Sequence, residues 1–261
     1  MLSVAELAYS YSSEKPVLAN VTFAVVAGEI VSIVGPSGCG KTTLLKILAG
    51  LLRPIKGDVR FQGEIVRGVP AGLAMVFQEY SRSLLPWTTV TGNVELPLRY
   101  KKLDRPARAR LVSDSLEAVG LSGFGQYYPW QLSGGMQQRV AIARALAYQP
   151  KLLLMDEPFA SVDAQTRADL EDLVAAVRDR LGITIVFITH DIDEAVYLSD
   201  RVVVLSTSPT TVIDVITTEL PRPRDQIATK ALPTFVEKRS AIARLIRRRN
   251  ADSLQHPAPR E

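Results

Sequence analysis

The sequence has little that would place it in an oxidising compartment or across a membrane. Its single cysteine, Cys39, cannot form a disulfide within the chain. No apolar run reaches the roughly 18 to 20 residues of a membrane span, because Lys46 interrupts the stretch LLKILAGLL and the others are shorter. The first ten residues also lack the basic and then apolar pattern of a secretory signal. These absences favour a cytosolic protein.

Basic residues outnumber acidic residues, and much of this excess lies in one segment of the chain. The formal net charge is +4, and basic residues crowd the last segment, including Lys238, Arg239, Arg244 and the triplet at 247–249. A solvated end of a C-terminal helix explains this pattern, because cations suit the negative end of the helix dipole. Binding to anionic lipid or nucleic acid is the alternative.

Apolar content of 47% in 261 residues is enough for one large domain or for a domain carrying a smaller subdomain. The runs EIVSIVG, KLLLMDE, TIVFITH and RVVVL predict strands buried on both faces, which indicates a parallel sheet covered by helices. Leu170, Leu173, Val174, Val177 and Leu181 predict a helix with one buried stripe, ended by Gly182. Alternation at Val21, Phe23 and Val25 predicts a half-exposed antiparallel strand.

Residues 84–150 contain no comparable strand pattern. Helical spacing at Leu111, Val112, Leu116 and Val119 before Gly120 predicts a helical subdomain inserted in an α/β core. After Thr207 the pattern weakens. Residues 221–226, PRPRDQ, cannot be regular helix or central strand, residues 235–249 favour a helix, and the last residues should be frayed.

One motif indicates a phosphate site. Gly35, Gly40, Lys41 and Thr42 have the spacing G-x-x-x-x-G-K-[ST], directly after a predicted strand and at the start of a predicted helix. Backbone NH groups of such a loop face phosphate oxygens, the lysine adds charge at the β and γ phosphates, and the threonine hydroxyl can ligate magnesium. Cys39 occupies a free position of this loop.

Two further strands end in polar residues at the edge where open α/β sheets bind ligands. Asp156 and Glu157 end KLLLMDE, and we expect the first to hold magnesium and the second to polarise a water. Paired acids at such a position can also be helix caps. His190 ends TIVFITH just before a helix start with capping residues Asp191 and Glu194, and we expect it to contact the γ-phosphate.

A second Gly-rich turn before a predicted helix is a further candidate anion site. LSGGMQQRVAIARALA starts with Ser133, Gly134 and Gly135 and continues as a helix with apolar residues at Val140 and Ala143. Helix starts of this kind bind anions, because unpaired NH groups and the dipole point there. A chain that already has a phosphate loop needs a reason for this second site.

The order of these motifs, GPSGCGKTT, Gln78, LSGGMQQR, LLLMDEP, residues 161–163 and His190, resembles the ATP-binding cassette ATPases of membrane transporters. The resemblance covers residues 1–220. It implies an α/β fold: a P-loop NTPase core, mostly parallel sheet with helices on both faces, with an antiparallel β subdomain and an inserted helical subdomain. The implied boundaries are 1–83 and 151–220 for the core, 84–150 for the helical subdomain and 221–261 for a basic, partly helical extension.

The resemblance also answers the question of the second turn, because two cassettes of this family pair head to tail and each ATP lies between the phosphate loop of one and the LSGG helix of the other. Asp163 would cross the interface, although it is also a plausible N-cap. Met136 stands where many members have Gln.

The implied catalytic residues are Glu157, His190, Lys41 and Gln78, and the implied magnesium ligands are Thr42, Gln78 and Asp156. The implied nucleotide contacts are Tyr11 (with Tyr9 as the alternative), Gly35, Pro36, Ser37, Gly38, Cys39, Gly40, Lys41, Thr42, Thr43, Gln78, Ser133, Gly134, Gly135 and Asp163.

The stretches EYSRSLLPWTTVTGNVELPL, FASVDAQTR, THDIDEAVYLSDRVVVLS and LPRPRDQ are similar to the subgroup that powers importers of nitrate, sulfonate, taurine and related small oxyanions. This implies ATP and Mg²⁺ as cofactors, and a second copy, a polytopic permease and indirectly an extracytoplasmic solute-binding protein as partners. The location would be the cytoplasmic face of the inner membrane, with no nucleic acid bound. Leu85, Pro86 and Trp87 could contact the permease or could equally be core. The rival function is a soluble cassette ATPase acting on ribosomes or nucleic acid.

Overall fold

The computed structural model describes residues 1–12, 16–160 and 162–255, and these divide into two units. The first unit contains residues 1–70 together with the chain from 186 onwards, and the second contains residues 71–185. The strands are β1 (Leu2–Ser10), β2 (Pro16–Val25), β3 (Ile30–Val34), β4 (Lys56–Phe61), β5 (Glu64–Ile65), β6 (Leu73–Val76), β7 (Leu152–Asp156), β8 (Thr184–Ile188), β9 (Arg201–Leu205) and β10 (Val212–Thr217). The α-helices are α1 (Lys41–Leu48), α2 (Tyr80–Ser83), α3 (Val90–Glu95), α4 (Arg105–Ala118), α5 (Gly134–Ala147), α6 (Ala164–Leu181), α7 (Ile192–Leu198) and α8 (Pro233–Gln255).

The first unit contains an antiparallel sheet with the strand order β2-β1-β4-β5. In β2, Val21, Phe23 and Val25 are buried while the residues between them are exposed. Leu2 pairs with Val25 and Val4 with Phe23, so the buried faces of β1 and β2 coincide. The prediction of a half-exposed antiparallel strand is confirmed.

The first unit also contains strands in the order β10-β9-β3-β8. Strand β3 is parallel to β9, from the pair Val31 and Arg201 to the pair Val34 and Val204, and every residue of β3 is buried. The prediction of buried strands at EIVSIVG and RVVVL is confirmed. Strand β10 is antiparallel to β9 at the edge, and it went unpredicted because its residues are only half-buried and include the exposed Asp214.

Helix α8 belongs to the first unit and is longer than the predicted helix over 235–249. Its buried residues include Phe235 and Ile242, and the preceding segment 221–226 is irregular as expected. Arg224 donates hydrogen bonds to the carbonyls of Tyr197 and Ser199, which fixes this irregular segment at the end of α7. Fraying was predicted for residues 255–261, but Gln255 is the last residue of α8, while residues 256–261 lie outside the described residues. The boundary at 220 stays a prediction.

The second unit contains the parallel pair β6 and β7 and the helices α2 to α6. Residues 84–150 form helices and turns, as the sequence predicted. The buried residues of α4 include Val112 and Leu116, from the predicted apolar stripe. The fold class predicted from the sequence is confirmed, while the exact subdomain boundaries stay a prediction.

Helix α6 corrects one detail of the sequence prediction. Leu170, Val174 and Val177 are buried as predicted, and Gly182 ends the helix with a φ of 62°, in the left-handed region that glycine favours. Leu181, however, was predicted on the buried stripe and is 46% exposed. Leu181 is the last residue of the helix, so its place on the predicted buried face does not bring its side chain into the core.

Candidate functional site

The phosphate loop in the first unit connects β3 to α1. Gly38 and Gly40 have φ values of +74° and +100°, which residues with a side chain rarely adopt. A Cβ at Gly40 would also lie 2.6 Å from a methyl carbon of Val17. Both the backbone conformation and the packing therefore require glycine at position 40, the residue that precedes α1.

Lys41 is held inside this loop. It is 6% exposed, and its Nζ donates to the carbonyls of Gly35 at 2.9 Å and Pro36 at 3.0 Å. These contacts fix the ammonium group against the backbone of the loop. Thr42, Ser37 and Gly38 are exposed, so the loop presents a hydroxyl and backbone NH groups to solvent beside a fixed positive charge.

Cys39 can offer only its backbone to a ligand. Its side chain is buried, and burial raises the pKa of the thiol, so it stays protonated at neutral pH. The Thr210 hydroxyl donates to the Cys39 carbonyl, which ties the loop to the segment before β10.

Tyr11 lies beside the start of α1. Its hydroxyl is 3.0 Å from the hydroxyl oxygen of Thr43, and its ring is 64% exposed. Tyr9 packs against it edge to face, with ring centroids 5.0 Å apart. Of the two tyrosines, Tyr11 is therefore the one with an exposed ring next to the phosphate loop, and its contact with adenine stays a prediction.

His190 follows β8 in the first unit and is exposed. The next residue, Asp191, caps α7 by accepting hydrogen bonds from the NH groups of Asp193 at 2.8 Å and Glu194 at 3.2 Å. The buried Glu194 accepts a hydrogen bond from the Thr189 hydroxyl at 2.5 Å. The predicted helix start is therefore present, and it fixes the backbone on both sides of His190.

The second unit brings Gln78 and Glu157 together. Asp156, the last residue of β7, is 4% exposed, whereas Glu157 is partly exposed. Gln78 Nε2 donates to Glu157 Oε2 at 3.4 Å. Glu157 has a φ of 41°, a left-handed conformation that costs about 1 to 3 kcal/mol for a residue other than glycine. Strain of this kind is common at active sites, and no sequence pattern indicates it.

The LSGG turn forms the N-terminus of α5. Ser133 is the N-cap residue, and its hydroxyl accepts a hydrogen bond from the Met136 NH at 3.3 Å. Ser133 and Gly134 are exposed and Gly135 is buried. The predicted helix start at this motif is therefore present, with polar groups facing solvent.

Gly135 lies too close to α6 to carry a side chain. A Cβ at this position would be 2.3 Å from the methyl carbon of Thr166. We expect Gly135→Ala to lower the free energy of unfolding by about 1 to 3 kcal/mol, the usual cost of overpacking. Urea unfolding measures this loss.

The matched control for this prediction is the double variant Gly135→Ala/Thr166→Ser. Serine keeps the hydroxyl, which donates to Asp163 at 2.6 Å, and lacks the methyl group that would clash. We expect the double variant to recover most of the stability, and equal losses in both variants would contradict the packing explanation.

Asp163 is the N-cap of α6, one of its two predicted roles. It accepts hydrogen bonds from the NH of Thr166 at 3.0 Å and from the Thr166 hydroxyl, and these bonds lower the pKa of its carboxyl group. A lowered pKa means that the cap stabilises the fold above the unfolded-state value and loses this effect as pH falls through the folded-state value. Ser161, which precedes it in the motif, lies outside the described residues.

Gln138 connects two parts of the candidate site, a contact that sequence reasoning missed. It is fully buried, and its Nε2 donates to the Pro158 carbonyl at 2.7 Å. The bond joins the helix of the LSGG turn to the loop that carries Glu157. The sequence signal that could have revealed this contact is a polar residue, Gln138, two positions before the buried Val140 of α5.

The segment after Gln78 exposes a large apolar side chain. Trp87 is 75% exposed, which excludes its alternative assignment to the helical core. Leu85 donates its NH to the buried Asn93 side chain at 2.8 Å, so this turn has a fixed conformation. No described helix is both long and apolar enough to span a membrane.

Each unit thus assembles part of the predicted site. The first contains the phosphate loop with Lys41, Thr42 and Tyr11, and separately His190. The second contains Asp156, the Gln78–Glu157 pair, the LSGG turn and Asp163. The functional roles of these residues stay predictions.

Comparisons with known proteins agree on one family. Residues 18–160 match the family model described as ABC transporter. Over 221 residues the chain is 48% identical to the aliphatic sulfonates import ATP-binding protein SsuB 1 of Xanthomonas axonopodis pv. citri, covering 83% of this chain and 86% of that one. It is 42% identical over 243 residues to the nitrate import ATP-binding protein NrtD of Synechocystis sp., covering 91% of each.

Solved structures give the same result. The ATP-binding cassette MJ0796, determined as a dimer in a post-hydrolysis state bound to ADP and Pi, superimposes with a TM-score of 0.72 at 32% identity. The match covers 83% of this chain and 98% of that one.

Proposed function

Because the chain belongs to the ABC transporter family, we propose that it is the ATP-binding and ATP-hydrolysing subunit of an importer for a small oxyanion such as nitrate, a sulfonate or taurine. The observation that carries this proposal is the presence of two anion-facing helix starts in one chain, the phosphate loop before α1 and the LSGG turn before α5. The import ATP-binding proteins for sulfonates and nitrate that resemble it support the choice of cargo class.

The proposed hydrolysis relies on positioning and electrostatics. Lys41, fixed against the loop carbonyls, neutralises charge on the β and γ phosphates. Glu157 orients the attacking water and accepts its proton, while Gln78, 3.4 Å away, holds that carboxylate in place. His190 of the same copy and Ser133 of the second copy add hydrogen-bond donors to the γ-phosphate, where charge develops in the transition state.

The donor set suits magnesium. Thr42, Asp156 and Gln78 offer a hydroxyl, a carboxylate and an amide oxygen, and hard cations prefer oxygen ligands. Only one of these three donors is charged, so phosphate oxygens and water would complete the coordination shell. When bound, the ion would neutralise phosphate charge.

The proposed site is completed by a second copy of the chain. In a two-fold dimer every surface occurs twice, so the LSGG turn of one copy can close on the nucleotide at the phosphate loop of the other. The exposed Ser133 and Gly134 suit this contact. The dimeric state described for the cassette MJ0796 supports the pairing. Tyr11, with its exposed ring beside Thr43, is the proposed adenine contact.

The proposed membrane partner is a polytopic permease, which would hold the chain at the inner face of the membrane. Trp87 is the proposed anchor, because an exposed tryptophan on a rigid turn is typical of interface hot spots. We expect Trp87→Ala to leave ATP hydrolysis by the isolated chain unchanged and to weaken permease binding by about thirtyfold, equivalent to about 2 kcal/mol. Co-purification from membranes measures the binding.

Tyr100→Ala is the matched control, since this aromatic side chain is 95% exposed and lies outside the proposed contact. Equal permease recovery by wild type and Trp87→Ala would contradict the assignment of Trp87. RNase-sensitive association with ribosomes, and none with a polytopic protein, would instead favour the rival soluble cassette ATPase.

A further inference from the structure

A cavity of about 680 Å³ lies beside His190, between the start of α7 and one face of α8. Its α8 wall contains residues spaced one helical turn apart, and its α7 wall contains the turn around Asp191. The lining residues are His190, Asp191, Ile192, Asp193, Arg239, Ser240, Ala243, Arg244 and Arg247. All of these belong to the first unit.

The charges that face this cavity favour an anion. Three arginines stand against two aspartates, and one of these aspartates pairs with one of the arginines within the lining. Asp191 accepts hydrogen bonds from the NH groups at the start of α7, and Asp193 Oδ2 lies 3.8 Å from Arg239 Nη1. Arg244 and Arg247 have no ion pair or hydrogen bond with any described residue. Among the described lining residues, their two guanidinium groups therefore face one unpaired carboxylate, that of Asp191, which leaves an excess of positive charge.

The lining also limits the chemical class of the ligand. Only Ile192 and Ala243 are apolar, so a hydrophobic molecule would gain little from entering. Arginine offers several NH donors in a planar fork that matches the oxygens of phosphate, sulfonate or nitrate. Ser240 adds a hydroxyl donor on the same wall.

We propose that this cavity, which we term the α7–α8 cavity, binds a small oxyanion through Arg244 and Arg247. The ligand is either inorganic phosphate or an anion of the cargo class, since these share the same chemistry. The binding itself is independent of the ATPase assignment. Its consequence rests on the proposed function: His190 forms part of the same wall, so a bound anion places negative charge beside the residue that is proposed to contact the γ-phosphate.

The test is isothermal titration calorimetry of the full chain with phosphate, nitrate and ethanesulfonate in separate experiments. A non-hydrolysable ATP analogue and magnesium are present at saturation, so that the phosphate loop is occupied. We expect saturable binding by wild type and by Arg67→Gln, an exposed arginine outside the cavity. Arg244→Gln/Arg247→Gln should bind at least tenfold more weakly, since each lost charge-assisted bond costs about a factor of ten.

Ser240→Asp is a second variant, which places a carboxylate in the cavity and should also weaken binding. Tighter binding of phosphate, or of nitrate and ethanesulfonate, identifies the source of the ligand. No saturable binding by wild type, or equal binding by all variants, would overturn the proposal. ATP hydrolysis by the wild-type chain without added anion separates the outcomes, since a wild type that hydrolyses ATP but binds no oxyanion refutes only the α7–α8 cavity.

Discussion

Replacing Glu157 by glutamine is expected to lower ATP turnover by about 10² to 10⁴-fold while leaving ATP affinity unchanged. A positioned general base contributes about this factor, because it orients the water and accepts its proton in the transition state. Glutamine has nearly the same shape as glutamate and can still bond to Gln78, which lies 3.4 Å from the carboxylate. Steady-state phosphate release and equilibrium nucleotide binding measure the two quantities.

The matched control is Glu117→Gln, which removes the carboxylate of an exposed glutamate on α4. It should hydrolyse ATP at the wild-type rate. A Glu157→Gln variant that also hydrolyses normally would contradict the role given to Glu157, and one that binds no ATP would indicate a structural role instead.

Replacing Lys41 by alanine is expected to weaken ATP binding by at least a hundredfold. The ammonium is 6% exposed and fixed by two loop carbonyls, so its charge meets the phosphates without further ordering. The loop carbonyls take two of the three ammonium donors, so one charge-assisted hydrogen bond to a phosphate oxygen, at about 1.5 to 3 kcal/mol, together with the attraction of the charge itself, accounts for a loss of this size. Equilibrium binding of a fluorescent ATP analogue measures the affinity.

Lys46→Ala is the control on the same helix, since Lys46 lies in the last turn of α1, away from the phosphate loop. It should retain wild-type affinity for ATP. Unchanged affinity in Lys41→Ala would contradict the assignment of the loop as the phosphate site, whereas weakened affinity in both variants would indicate general damage to α1.

The sequence predicted those parts of the molecule that depend on local chemistry. The strands β3, β7, β8 and β9 are continuous apolar runs, and burial on both faces leaves such runs few alternatives. The phosphate loop was predictable because only glycine tolerates the backbone at Gly40. The caps Ser133 and Asp163 were predictable because a side-chain oxygen at a helix start satisfies NH groups that the helix leaves free.

Other features depend on tertiary contacts and left little or no trace in the pattern. The left-handed backbone of Glu157 is imposed by its surroundings, since the residue type disfavours it. The buried bond from Gln138 to the Pro158 carbonyl joins residues 20 positions apart. Strand β10 is a half-exposed edge, so its alternation is weak. The α7–α8 cavity requires the end of the chain to lie beside His190, which a basic tail alone does not reveal.

We propose that a nucleotide is enclosed by two copies of the chain, neither of which has a complete site. Sedimentation velocity of Glu157→Gln with Mg-ATP tests it most directly, because the slow turnover of this variant preserves the bound state. We expect a particle of twice the 28.6 kDa chain mass with Mg-ATP, and single chains with Mg-ADP or with Ser133→Arg added. Single chains at saturating Mg-ATP, with binding of the nucleotide verified in the same sample, would contradict it.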